Sequence, residues 1–170
     1  FVRCRGCCKL MDIRIGYGYD VHRLEQGEEL WIGGVLFPHK KGAVGHSDAD
    51  VLLHAICDSM FGALAMRDIG YHFPDTDPAY KGIDSKRLLI ESWKKVSEKG
   101  WNIGNLDTTI CLQTPKLSPS IDAMREVIAE ILSINIDKVS IKATTTEKLG
   151  FVGAEEGVSA HAVILLNKKD

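Results

Sequence analysis

Apolar and polar positions along this chain follow two rhythms. Ile13–Tyr19 sets apolar side chains between small or polar ones at a period of two, the pattern of a strand with one covered face. From Glu29 to Phe37 apolar residues flank Gly33-Gly34, which predicts a short hairpin or bend. Ser47-Asp48-Ala49-Asp50 is a variant capping box with Asp in place of Glu. The apolar run behind it reaches Ala65, so a helix is expected to begin there. Asp68–Lys81, rich in Gly, Pro and Asp, reads as a loop. Ser85–Lys99 has helical spacing with Gly100 as its stop. Leu106–Leu112 reads as a strand. Ser118-Pro119 places a cap and a first-turn proline before a helix running to Ile134. Val139–Thr145 and Val158–Asn167 complete the strands. The order β-β-α-α-β-α-β-β predicts an α/β (α+β) sandwich, a mixed β-sheet with helices packed on one face. The other sheet face then needs cover, and association with further copies of the chain supplies it.

Composition narrows the picture. A chain of 170 residues is one domain by length. Hydrophobic residues at 45% and charged residues at 26% are globular values and argue against disorder. A net charge of −2 leaves no basic footprint, so a nucleic acid held by charge is not expected as a partner. Apolar runs such as Ala162–Leu166 are far too short to span a bilayer, so no membrane is expected either. Residues 1–10 carry Arg3, Arg5 and Lys9 and no acid; they read as a leader remnant or cloning tail ahead of a single domain over 11–170. Cys4, Cys7 and Cys8 crowd that tail and amount to half a zinc site at most. Cys57 and Cys111 lie among apolar neighbours and read as small core side chains in a reducing compartment.

Candidate chemistry comes in three places. In extended chain, residues two apart share a side, so Asp20 and His22 aim a carboxylate and an imidazole at one point. Alone, that pair is equally an Asp turn followed by a surface histidine. Asp50, His54 and Asp58 sit four apart along the helix and form a polar stripe on an otherwise apolar element. The stripe reads either as a hydrogen-bonded core strip or as a ligand with Asp50 or Asp58 as its outer partner. Asp20, His22 and His54 together are a two-histidine, one-carboxylate set, which suits zinc and leaves one coordination position open. Thr144-Thr145-Thr146-Glu147-Lys148 ends a strand with hydroxyls, a carboxylate and an ammonium, groups that bind phosphate directly or through a hard cation. Asp68-Ile69-Gly70 and Phe73-Pro74-Asp75-Thr76-Asp77 make an acidic loop able to accept hydrogen bonds from a polyol, or plain turn chemistry.

These segments, in this order, resemble the 2-C-methyl-D-erythritol 2,4-cyclodiphosphate synthases of the non-mevalonate isoprenoid pathway. The likeness covers Met11–Asn167 and is carried by Gly16–His22, Ile32–Val35, His46–Val51 with His54, Asp68–Gly70, Phe73–Asp77 and Ala143–Phe151. It implies a lyase that cyclises 4-diphosphocytidyl-2-C-methyl-D-erythritol 2-phosphate and releases CMP. It implies a homotrimer whose sheets face one another and whose active sites lie between subunits. Zinc (Zn²⁺) would be held by Asp20, His22 and His54, and a second divalent cation, Mg²⁺ or Mn²⁺, by Glu147 and substrate phosphates. His46 and Thr145 match positions that stabilise the transition state. Val21, His46 and Ser47 would contact substrate, with Asp68, Ile69 and Gly70 and the loop Phe73, Pro74, Asp75, Thr76 and Asp77 around the erythritol. Leu112, Gln113, Thr114 and Pro115, then Lys116, Leu117 and Ser118, with Thr144 and Thr146 and with Phe151, would form the cytidine and phosphate pocket across the interface. The resemblance implies bacterial cytoplasm or, as the alternative, plastid stroma.

The chemistry agrees with such a reaction. Its nucleophile is an ionised phosphate oxygen and its leaving group an anion, so no strong base is needed, and the chain offers no nucleophile–base pair. The task is to bring two anions together in line, which needs positive charge and orientation. Two positions depart from the family: Ala49 where Gly is common, and Ala154 where many members carry an Arg that clamps an isoprenoid diphosphate. Geranyl or farnesyl diphosphate is therefore expected to give no thermal shift at micromolar concentration. The rival readings are a metal-dependent phosphohydrolase acting on a related nucleotide diphosphate, and a non-enzymatic trimeric module with a satisfied His/Asp core.

Overall fold

Two glycines govern how closely the first strand meets the first helix. A computed structural model describes residues 12–169, and the basic tail with its three cysteines lies outside the described residues. Strand β1 (Ile13–Gln26) alternates its faces, and Gly16 and Gly18 turn toward helix α1 (Val51–Ala63). A Cβ on Gly18 would stand 1.9 Å from the carbonyl oxygen of Ala55, and one on Gly16 1.8 Å from that of Ser59. Only glycine lets the two backbones lie this close.

Strands β2 (Leu30–Ile32) and β3 (Val35–Phe37) form the expected hairpin, with Gly33 and Gly34 at φ 60° and 75° in its turn. Then come β4 (Lys41–Val44), α1, a single turn α2 (Ile69–His72), α3 (Ser85–Glu98), β5 (Trp101–Cys111), α4 (Ile121–Leu132), β6 (Val139–Thr144), a single turn α5 (Gly150–Gly153) and β7 (Gly157–Lys168). The sheet order is β4-β1-β7-β5-β6. Only β5 and β6 pair in parallel, joined through α4 as a parallel crossover requires. The result is the expected mixed sheet in an α+β fold. Helix α1 packs on β1 and β7, α4 packs on β6, and α3 lies between α1 and α4. Phe61, Leu52 and Ile56 of α1 meet Leu106, Ile110 and Ile164 of the sheet in a fully buried core.

Several boundaries differ from the sequence reading, each for a local reason. Strand β1 continues to Gln26 because β7 pairs with it as far as Arg23 and β4 from there on, so Asp20 and His22 are strand residues. β5 starts at Trp101 rather than Leu106; Asn102, Gly104 and Asn105 hide its period, and a register shift sits between Ile103 and Asn105. β4 is a four-residue edge with no apolar alternation to betray it.

The sheet face away from the helices has no cover among the described residues. Ile13, Ile15, Tyr17, Tyr19 and Val21 line it along β1, and Ile15 and Tyr17 are 66% and 59% exposed. Val163 continues the patch on β7, and the Tyr17 hydroxyl hydrogen-bonds His161 Nδ1 at 2.9 Å. No helix among the described residues is long and apolar enough to cross a membrane.

Candidate metal and substrate site

Asp20 and His22 reach the helix side of the sheet on the same face as Gly16 and Gly18. His54 comes down from the first turn of α1. Asp20 Oδ2 lies 3.0 Å from His22 Nε2 and 3.0 Å from His54 Nδ1, and the two ring nitrogens are 3.1 Å apart. Four ligands about 2.0 Å from a tetrahedral zinc stand about 3.3 Å from one another, so the triangle is nearly the size the ion requires. Among the described residues this is the group of metal-ligating side chains that converges so closely.

The ring partners agree with a ligand role. His22 Nδ1 donates to the Val44 carbonyl at 3.0 Å, which leaves Nε2 as the nitrogen that faces Asp20 and can become a ligand once it gives up its proton. His54 Nε2 faces the hydroxyls of Ser85 at 2.8 Å and Ser47 at 3.1 Å. Burial by itself would raise the Asp20 carboxyl, but hydrogen bonds and charge from His22 and His54 overcome it and hold Asp20 well below the usual carboxylate range. Burial would likewise lower His22, and Asp20 reverses the sign, so its imidazole is raised above 6.5. Without a cation the cluster binds protons in its place.

The polar stripe on α1 does not serve as expected. Neither Asp50 nor Asp58 is the outer partner of His54. Asp50 is fully buried and is the N-cap of α1. Its carboxylate accepts from Gly33 N and Gly34 N at 2.9 and 2.6 Å and from Leu52 N and Leu53 N at 3.2 and 3.1 Å. It pins the β2–β3 turn to the helix, and the cap falls three residues after the expected Ser47. Asp58 accepts from Ile69 N at 2.7 Å and anchors the loop that follows. Ala49, just before the cap, sits at φ 55°, a conformation that favours glycine.

Some of the remaining candidates line two cavities; Pro74, Thr76, Asp77, Thr114 and Thr146 line neither. One, of about 170 Å³, is lined by His22, His54, His46 and Ser47 and by Ile69, Gly70, Phe73 and Asp75 across from them. Tyr80, Ile83 and Leu88 also line it, and nothing in the sequence pattern singled them out. Asp68 stands behind this wall and caps α2 through Tyr71 N at 2.8 Å. The other cavity, of about 140 Å³, is bounded by Leu112, Gln113, Pro115 and Lys116 and by Leu117, Ser118, Thr144 and Thr145. Glu147 belongs to neither: it lies exposed beyond β6, where it accepts from the Thr145 hydroxyl at 3.1 Å. Val21 points to the uncovered sheet face, away from both. Phe151 packs on Gly157, beside the backbone of His22.

Fold and site together define an α+β protein whose first strand and first helix present two histidines and a carboxylate that could hold a metal ion, at the wall of a cavity. A family model described as the YgbB family matches residues 13–167, and the chain belongs to that family. It is 58% identical over 158 residues to the 2-C-methyl-D-erythritol 2,4-cyclodiphosphate synthase of Bacteroides fragilis, covering 93% of this chain and 99% of that protein. The bifunctional IspDF of Campylobacter jejuni superposes with a TM-score of 0.90 at 38% identity, over 94% of this chain and 43% of that one. The IspF of Plasmodium falciparum in complex with CDP gives a TM-score of 0.82 at 34% identity, over 93% and 97% of the two chains.

Proposed function

We infer that this chain catalyses the cyclisation of 4-diphosphocytidyl-2-C-methyl-D-erythritol 2-phosphate to 2-C-methyl-D-erythritol 2,4-cyclodiphosphate with release of CMP, as a phosphorus–oxygen lyase of isoprenoid precursor synthesis. The observation that carries the reading is the convergence of Asp20, His22 and His54 on one point at a cavity wall, in a chain this similar to named synthases. Asp20, His22 and His54 would hold Zn²⁺, whose donor set and spacing they match. Bound there, the ion supplies positive charge to the diphosphate as it is attacked. Glu147 would hold a second divalent cation, Mg²⁺ or Mn²⁺, together with substrate phosphates; one carboxylate plus phosphate oxygens is the usual set for a hard cation.

The chain's own residues then bind, orient and exclude water. His46 and Ser47, which share a cavity with His22 and His54, would contact the reacting phosphates, and Ile69, Gly70, Phe73 and Asp75 of the same cavity would enclose the erythritol. The cavity bounded by Gln113, Pro115 and Thr145 would take cytidine. A folded-back substrate brings its own 2-phosphate to the diphosphate, and enclosure favours that oxygen over water. In the sheet order, β1 and β6 are three strand spacings apart, about 14 Å at roughly 4.8 Å each. Assembly as a homotrimer through the uncovered sheet face would let the cavity of one subunit serve the triad of the next.

Product analysis tests the reading. The cyclic diphosphate with CMP is expected; a linear phosphate with CMP would mean the hydrolase instead. About one zinc per chain is expected, lost along with turnover in His54→Ala. Full activity in that variant would remove the ligand assignment.

A further inference from the structure

The environment of His54 gives its two ring nitrogens different tasks. Nδ1 faces Asp20 and His22, and Nε2 faces two serine hydroxyls. A hydroxyl can give or take a proton in a hydrogen bond, so these contacts alone leave open which nitrogen of the ring carries the hydrogen. The answer lies one residue further out. Ser85, fully buried, is the first residue of α3. Its backbone N–H donates to Asp48 Oδ2 at 3.0 Å, and its Oγ makes a short hydrogen bond to Asp48 Oδ1. A carboxylate only accepts, so the Ser85 hydroxyl proton must point at Asp48. What Ser85 then offers His54 is a lone pair, and Nε2 must be the nitrogen that donates. Ser47 Oγ stands 3.1 Å from the same Nε2 and 3.4 Å from Ser85 Oγ; it accepts from Ala49 N at 3.1 Å, and its own proton can go to the second lone pair of Ser85 Oγ. With Nε2 holding its hydrogen, Nδ1 is the nitrogen that gives up its own, from the hydrogen bond to Asp20, when a metal binds.

We propose that Asp48 and Ser85 are a positioning pair for metal capture: Asp48 orients the Ser85 hydroxyl, and Ser85 holds His54 as an Nδ1 ligand. The inference rests on the reading that Asp20, His22 and His54 hold the metal. The two ligand histidines are thereby kept in opposite tautomers, His22 with its hydrogen on Nδ1 through Val44 and His54 with its hydrogen on Nε2 through Ser85. The device is also tied into the cavity. Asp48 N donates to the Ile83 carbonyl at 3.1 Å and Gly82 N to the His46 carbonyl at 2.6 Å, so the start of α3 and the His46–Asp48 segment move as one piece. Ser85 lies 31 residues from His54 in the chain, which is why no local motif announced it.

Asp48→Asn tests the pair. An amide in that place presents N–H to Ser85 Oγ while its oxygen keeps the Ser85 N–H; Asp50 N loses its acceptor as well, a loss that Ser85→Ala, which leaves Asp48 in place, controls for. The hydroxyl proton then turns toward His54 Nε2 and drives the ring hydrogen to Nδ1, where a metal needs a lone pair. Zinc affinity, read by chelator competition on the full chain, is expected to fall by about 10–100-fold. Ser85→Ala keeps the Asp48 contact to the backbone but removes the relay, leaving Ser47 as acceptor, and is expected to lose about tenfold. In the zinc-free protein, ¹⁵N spectra are expected to show a hydrogen held on His54 Nε2 in the parent, whether or not Nδ1 also carries one toward Asp20, and to lose it in Asp48→Asn. A parent His54 with no hydrogen on Nε2 overturns the proposal. So does zinc affinity within twofold of the parent in the folded variants, and should Asp48→Asn not fold, Ser85→Ala decides by itself. A parent that binds no zinc removes the functional reading, while the ¹⁵N result still judges the relay.

Discussion

Asp20 and Asp50 are both withdrawn from water, and their neighbours give them opposite behaviour. Burial raises Asp50, although four backbone N–H groups work against it; burial is outweighed at Asp20 by two imidazoles. Asp50 is therefore an architectural carboxylate, while Asp20 belongs to the group that could hold a metal ion. Asp50→Ala leaves buried N–H groups of Gly33, Leu52 and Leu53 without their partner, and about 3 kcal/mol of stability is expected to go. Urea unfolding measures it, and a loss below about 0.5 kcal/mol would contradict the assignment. The triad gives the metal-free chain a pH signature. The lowered Asp20 contributes stability that is full above 3.8 and is lost as pH falls through its folded value. The raised His22 contributes stability that is full below 6.5 and is lost as pH rises through its folded value. Metal-free protein should thus gain most from this cluster between about pH 4 and 6.5, and zinc affinity should climb with pH above that window as His22 gives up its proton. Unfolding midpoints across pH check the first point. An alkaline decline that persists unchanged in His22→Gln would refute it. Cys57, a buried small side chain of α1, has its thiol pushed up to about 12 by burial and takes no part.

Strands and helices were legible where the apolar period was clean. The Gly-Tyr-Gly-Tyr run reads as a strand from its alternation. What the alternation cannot say is that its small face meets a helix backbone, because close approach is a property of two elements at once. Gly18→Ala is expected to cost about 1–3 kcal/mol, since a Cβ 1.9 Å from the Ala55 carbonyl oxygen forces α1 off β1. The shift also moves His54 relative to Asp20, so zinc affinity should fall with stability; a variant as stable as the parent would show that the contact yields freely. The cap of α1 was legible only to within three residues. Asp48 and Asp50 are equally good caps in isolation, and only the hairpin turn of Gly33 and Gly34 selects Asp50 by offering it two more donors. The short edge β4 and the start of β5 escaped because their residues carry no period, and pairing with neighbours decides them.

In the whole molecule the uncovered sheet face and the divided cavities call for the same remedy. Ile15, Tyr17 and Val163 form an exposed apolar patch of the sort that marks an interface. Tyr17→Asp places a charge in that patch and breaks the hydrogen bond to His161. It should leave a folded chain of lower mass in sedimentation, with zinc retained and turnover lost. A variant that stays assembled, or a smaller species with full turnover, would exclude association through this face as a requirement for activity. The chemistry-bearing residue types could be read from the linear chain, because donor atoms and strand parity are local properties: Asp20 and His22 share a face wherever they sit in a strand. That His54 joins them with Nδ1 rather than Nε2 and that Asp50 builds while Asp48 orients are outcomes of packing between segments up to dozens of residues apart. Hydrogen-bond direction and distance exist only once those segments have met.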